Sequence, residues 1–109
     1  MGLIVQKYGG TSVGSIEKIK RVAERVIELC EKGNRLVVVL SAMAGQTDAL
    51  IQLSKELAET PDPRELDVLM ATGEQVSVSL FAIAIKSMGY DCCSILGFQV
   101  GIHTDRIYD

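Results

Sequence analysis

Apolar residues fall along this chain in two rhythms. Leu3-Ile4-Val5 and Leu36-Val37-Val38-Val39-Leu40 are unbroken runs, the form taken by parallel strands covered on both faces. Between them Ile16, Ile19, Ala23, Val26, Ile27 and Cys30 recur at helical spacing. Ser15 is placed to cap that helix, and Gly33-Asn34 to end it in a left-handed turn. Strand, helix and strand make one βαβ unit, whose crossover is expected to be right-handed. A second helix is predicted from about Asp48 to Glu59, with Leu50, Leu53 and Leu57 on one face and Pro61 as its breaker. A third starts behind Asp62, with Pro63 in its first position and Glu65 completing a reciprocal cap. Its pattern runs through Leu66, Leu69, Met70, Val76, Leu80, Ile83 and Ala84 towards Met88, with an interruption at Thr72-Gly73-Glu74, and ends at Gly89. Asp91 to Leu96 reads as a third strand, and Gly97 to Asp109 as a hairpin or an incomplete strand.

This element order predicts an α/β fold: a three-layer αβα arrangement on a mostly parallel open sheet. The 109 residues, 48% of them hydrophobic, suffice for one modest core and one domain. There is no internal repeat and no low-complexity linker. The chain stops at Thr104-Asp105-Arg106-Ile107-Tyr108-Asp109 without a helix terminus or polar tail, and the far sheet edge would be unpaired. It is therefore expected to be the first part of a larger α/β domain.

Charge and cysteine content narrow the chemistry. A net charge of −3 and a pI near 5.1, without a basic stripe, argue against a general nucleic-acid surface. No apolar run approaches the roughly 20 residues of a membrane span, and the start has neither the basic segment nor the apolar length of a signal peptide. Gln6 stands where a myristoylation motif wants Ser or Thr. Cys30, Cys92 and Cys93 are odd in number and unlike a disulfide framework. With one histidine and no CxxC spacing there is no zinc set, and no metal ligand is assigned. A reducing cytoplasm is the natural compartment.

The candidate chemistry starts at Lys7-Tyr8-Gly9-Gly10-Thr11-Ser12, between the first strand and its helix. Gly9 and Gly10 permit close backbone approach or positive φ, and the following helix offers unpaired N–H groups and a positive dipole end. Thr11 and Ser12 add donors and Lys7 a mobile positive charge, a set suited to a transferring phosphoryl group. It matches neither the nucleotide P-loop nor the GxGxxG fingerprint, and a plain βα turn with an exposed lysine is the alternative. Ser41-Ala42-Met43-Ala44-Gly45-Gln46-Thr47 leaves the next parallel strand, so both loops open on the C-terminal edge of the sheet, where such folds bind ligands. Ser41 and Thr47 are candidate hydrogen-bonders and Gly45 a close-approach position; a helix cap is the simpler reading.

Glu74 sits among apolar and small residues and either faces solvent or meets a cation such as a substrate ammonium. Asp105 is a weaker loop candidate and His103 weaker still. The charges from Glu17 to Glu28 read as a solvated helix face with i,i+4 pairs. Met43, Met70 and Met88 read as packing residues.

Lys7-Tyr8-Gly9-Gly10-Thr11-Ser12, the Val37 to Asp48 segment and Thr72-Gly73-Glu74-Gln75 together resemble the N-terminal part of the aspartokinases, ATP-dependent aspartate kinases of the amino acid kinase superfamily. Gly101-Ile102-His103-Thr104-Asp105 resembles the family less diagnostically. The resemblance covers essentially the whole chain. It implies transfer of a phosphoryl group from ATP, with Mg2+, to the β-carboxylate of L-aspartate, the first step towards lysine, threonine, methionine and diaminopimelate. By this resemblance Lys7 and Ser41 are catalytic, Lys7, Tyr8, Gly9 and Gly10 bind the nucleotide, and Thr47 and Glu74 bind aspartate, Glu74 through its α-ammonium. It also implies a cytoplasmic homo-oligomer without nucleic-acid or membrane partners. Residues 1–109 would be the N-terminal portion of the catalytic domain, inactive alone and lacking the adenine pocket and the regulatory domains. Other acyl-phosphate-forming kinases of the superfamily, and a non-catalytic phosphate-binding module, are the alternatives.

Overall fold

Two parallel strands organise the molecule. A computed structural model of the chain describes residues 2–95. The elements run β1 (Leu3–Tyr8), α1 (Ile16–Glu31), β2 (Arg35–Leu40), α2 (Gln46–Leu57) and α3 (Pro63–Ser87). β1 and β2 pair from Leu3↔Arg35 to Tyr8↔Leu40, so both C-terminal ends lie at one edge. The predicted βαβ unit is present.

Helix boundaries follow local chemistry. Ser15 caps α1 by accepting from the Lys18 amide at 3.2 Å, and Gly33, at φ 93°, closes its far end with its amide donating to the Cys30 carbonyl at 2.9 Å. α2 begins at Gln46, two residues earlier than expected, because Gly45 takes φ 86° and serves as its N-cap. It ends at Leu57, where Ala58 turns extended before Pro61 is reached. Asp62 caps α3 by accepting from the Glu65 amide at 3.1 Å. The reciprocal half of that cap is not made, because the Glu65 carboxylate pairs with Arg64 instead.

α1 and α3 pack against each other and against β2, and α2 packs on α3. The core gathers Val13, Ile19, Val22, Ala23, Val26, Leu40, Phe81 and Ile85; burial of a large apolar side chain such as Phe81 contributes roughly 1.5–3 kcal/mol. α3 is continuous, which corrects the interruption expected at Thr72-Gly73-Glu74. Gly73, Ser77, Phe81 and Ile85 form its buried stripe at four-residue spacing, so Gly73 is a packing position rather than a break. By length and composition alone this 25-residue helix suffices to cross a membrane, contrary to the count of apolar runs above. It packs against α1, α2 and β2 and buries Gly73, Ser77, Phe81 and Ile85, while Val68, Val76 and Ile83 stay exposed.

Three further expectations change. The sheet has two strands among the described residues, and Asp91–Ile95 is not a strand. Gly89 turns the chain at φ 91°, and the Cys92 thiol donates to the Ala82 carbonyl of α3 at 3.6 Å, which holds the segment against the helix. The described residues cover one face of the sheet: Leu3 and Val5 of β1 and Val37 and Val39 of β2 are 44–64% exposed on the other, so these residues do not form the second helical layer. Of the i,i+4 pairs expected along α1 none is formed, since the ion pairs among the described residues are Arg64–Glu65 and Lys86–Asp91. Leu96 and the segment 97–109, with His103 and Asp105, lie outside the described residues.

Candidate active site at the sheet edge

The parallel register delivers both candidate loops to one place. The Ser41 amide extends the ladder by donating to the Tyr8 carbonyl at 3.1 Å, and the Ala44 amide donates to the Gly10 carbonyl at 3.1 Å. The Ser12 amide closes the first loop on the Gly9 carbonyl at 3.0 Å, and Lys18 Nζ steadies it from α1 by donating to the Thr11 carbonyl at 3.0 Å. Lys18 thus has a local task that its place in a charged helix face did not reveal.

A cavity of about 420 Å³ opens between these loops and α3. Gly10, Ser41, Thr47 and Glu74 all line it, together with Thr11, Ala42, Met43, Ala44, Gly45 and Met70. Residues separated by as many as 64 positions (Gly10 to Glu74) in the sequence therefore share one wall. The sequence alone reads Met70 as a packing residue. Its signal was its position four residues before Glu74, one helical turn along the same face.

Lys7, Tyr8 and Gly9 are not part of this lining. Tyr8 is half-buried on the packed face of β1, and its hydroxyl donates to Gln6 Oε1 at 2.7 Å. Lys7 is exposed and, by strand alternation, shares the uncovered face with Leu3 and Val5. Its ammonium therefore carries no desolvation cost that a buried partner would have to offset.

The glycines divide their tasks. A Cβ on Gly10 would lie 2.6 Å from the Ala42 carbonyl oxygen, whereas one on Gly9 would meet nothing within 4 Å. Neither has positive φ. Gly45 is the reverse: nothing approaches it, and its φ of 86° is the reason for glycine. Its backbone conformation already requires glycine, and it lines the cavity.

The cavity lining carries charge of both signs. Gly45 supplies no side-chain cap to α2, so the amides of Thr47 and Asp48, at the second and third helical positions, have no intrahelical acceptor, and the helix presents its positive dipole end there. Glu74, exposed on α3, brings a carboxylate to the same cavity. A zwitterion with an ammonium and a carboxylate matches that pair of signs. Beside the cavity, Gln46 Oε1 is buried without a hydrogen-bond partner. Among the described residues no group of three or more His, Cys, Asp or Glu side chains could hold a metal ion.

A model of the amino acid kinase family matches residues 2–109. The chain belongs to the amino acid kinase family. Among the family's members it is 53% identical over 108 residues to the aspartokinase of Geobacillus stearothermophilus, which covers 99% of this chain and 26% of that protein. It is 55% identical over 109 residues to the aspartate kinase of Pseudomonas putida, with 100% and 26% covered. The crystal structure of the aspartate kinase from Synechocystis superposes with a TM-score of 0.78 at 48% identity, over 80% of this chain and 15% of that one. This amino acid kinase chain thus spans about a quarter of the length of the curated relatives it matches.

Proposed function

We propose that the full polypeptide to which this chain corresponds transfers the γ-phosphoryl group of ATP to the β-carboxylate of L-aspartate, giving 4-phospho-L-aspartate. This is the first step towards lysine, threonine, methionine and diaminopimelate. The carrying observation is the cavity that joins Gly10, Ser41, Thr47 and Glu74 in a chain about half identical to aspartokinases along its whole length.

In this reading Glu74 takes the α-ammonium of aspartate, and Thr47 with the amide end of α2 takes carboxylate. Ser41, where the β2 loop meets the glycine loop, lies at the junction of donor and acceptor. Gly9 and Gly10 cradle the phosphates, with Tyr8 contributing its backbone. Lys7, outside the aspartate cavity at the end of β1, serves the nucleotide side and neutralises the transferring group. The nucleophile is a carboxylate already ionised at neutral pH, so no general base is needed. The task of the protein is alignment and charge neutralisation between two anions. The described residues do not form a metal site of their own, and Mg2+ is expected to arrive held mainly by the nucleotide phosphates. The protein acts in the cytoplasm, a placement consistent with its free cysteines, as a homo-oligomer.

The test is ADP release by the full polypeptide with L-aspartate, L-glutamate and N-acetyl-L-glutamate in parallel. Turnover with aspartate is expected; turnover with another acceptor and none with aspartate overturns the reading. Glu74→Ala should raise the KM for aspartate by about tenfold or more, the scale of losing a charged hydrogen bond, with a smaller effect on the KM for ATP. An unchanged KM for aspartate removes Glu74 from the substrate site.

A further inference from the structure

Gly73 is buried in the middle of α3, where glycine is less favourable than alanine. Something must use the missing methyl. A Cβ there would lie 2.9 Å from the Ala42 Cβ, well inside the roughly 3.5–4.0 Å at which carbon atoms rest. Gly10 closes on the backbone of the same residue, its own Cβ position 2.6 Å from the Ala42 carbonyl oxygen. Ala42 is therefore held between the glycine loop and the helix that carries Glu74, with the Ala44 amide bonded to the Gly10 carbonyl beside it.

We infer that Ala42 is a positioning residue: its methyl against Gly73 sets how far the Glu74 carboxylate stands from the glycine loop, and so sets the affinity for the amino acid acceptor. This rests on the aspartate reading of the cavity. A methyl added at position 73 pushes α3 outward by about 0.6–1.1 Å, the difference between the clash and normal contact. A displacement of that size in a substrate-positioning element costs about 10²-fold where alignment governs the reaction. Glu74, the next residue, moves with the helix. The nucleotide side, carried by β1 and its loop, does not.

The geometry prescribes its own reversal. The Gly73 clash is with a side chain, so Ala42→Gly relieves it; the Gly10 clash is with a backbone oxygen, so Ala42→Gly cannot. In the full polypeptide Gly73→Ala is expected to raise the KM for aspartate at least about tenfold while the KM for ATP changes less than about threefold. The double variant with Ala42→Gly returns the KM for aspartate to within about threefold of wild type, and Gly10→Ala is not rescued by Ala42→Gly. An unchanged KM for aspartate in Gly73→Ala, or no recovery in the double variant, overturns the inference. Should Gly73→Ala alone fail to fold, recovery of folded protein in the double variant is the expected outcome, and its failure the overturning one. If wild type shows no turnover with aspartate, the substrate reading falls instead. The contact is then measured as a double-mutant cycle in Tm, where additivity of the two substitutions overturns it.

Discussion

Lys7 and Gly9 separate ligand effects from folding effects because neither holds the protein together. Lys7 is exposed, so Lys7→Ala should leave Tm nearly unchanged. In the full polypeptide it should lower kcat by at least about 10²-fold, typical of losing one electrostatic donor; stopped-assay kinetics at saturating substrates check this, and a nearly unchanged kcat removes Lys7 from the transfer step. Gly9 has no atom within 4 Å of a built Cβ and no positive φ. Gly9→Ala should therefore be neutral to stability or stabilising by up to about 1 kcal/mol. A rise of about tenfold in the KM for ATP would come from the incoming phosphates alone, since nothing in the protein collides; an unaltered KM means that this glycine does not cradle them. Ser41, Thr47 and Glu74 were legible as polar residues at a strand end or in an apolar setting. Ala42 and Met70, which line the same cavity, were not, since an alanine and a methionine carry no chemical label. The task of Gly10 was legible only in part: the sequence admits both close approach and positive φ, and only the position of the Ala42 carbonyl decides.

The helices owe their placement to caps that are visible one residue at a time, which is why Ser15, Gly33, Asp62 and Gly89 marked ends correctly. Gly73 misled because a glycine within a helical pattern reads as a breaker until the neighbouring loop is known. The third strand failed for a related reason: a strand needs a hydrogen-bonding neighbour, and Asp91–Ile95 finds α3 instead. One tether crosses between elements here. Beyond the end of α3, the Tyr90 hydroxyl donates to the Glu31 carboxylate at the end of α1, and that bond raises the Tyr90 pKa above its usual value of 10.0. The folded pKa exceeds the unfolded one, so the stabilisation is fully present below about pH 10 and is lost as pH rises through the higher folded value. Thermal melts of wild type and Tyr90→Phe should differ by a constant Tm gap at lower pH that closes above about pH 10. A gap that widens there contradicts the direction of the shift.

At the scale of the whole molecule, the α/β class and the parallel pairing of β1 with β2 followed from two apolar runs around one amphipathic helix. Continuous runs also implied cover on both faces, which the described residues do not provide, because a run of valines records the surroundings of a strand without saying which segment supplies them. The chain is about a quarter of its relatives in length, and Leu3, Val5, Val37 and Val39 remain as an apolar face.

The two-strand ladder has a consequence for solvent isotope exchange. The Arg35 amide donates to the Gly2 carbonyl and the Ser41 amide to the Tyr8 carbonyl. In a parallel pair this makes the even-numbered residues of β1 and the odd-numbered residues of β2 face each other. The amides of Leu3, Val5, Lys7, Leu36, Val38 and Leu40 point away from the partner strand. Residue-resolved deuterium uptake on residues 1–109 alone should therefore alternate, slow at Ile4, Gln6, Tyr8, Val37 and Val39 and fast between them. In the full polypeptide the fast set should slow wherever a further strand joins either edge, so the same amides report which edge is used. Uniform uptake along both strands of the short chain would mean that the ladder does not persist without the rest.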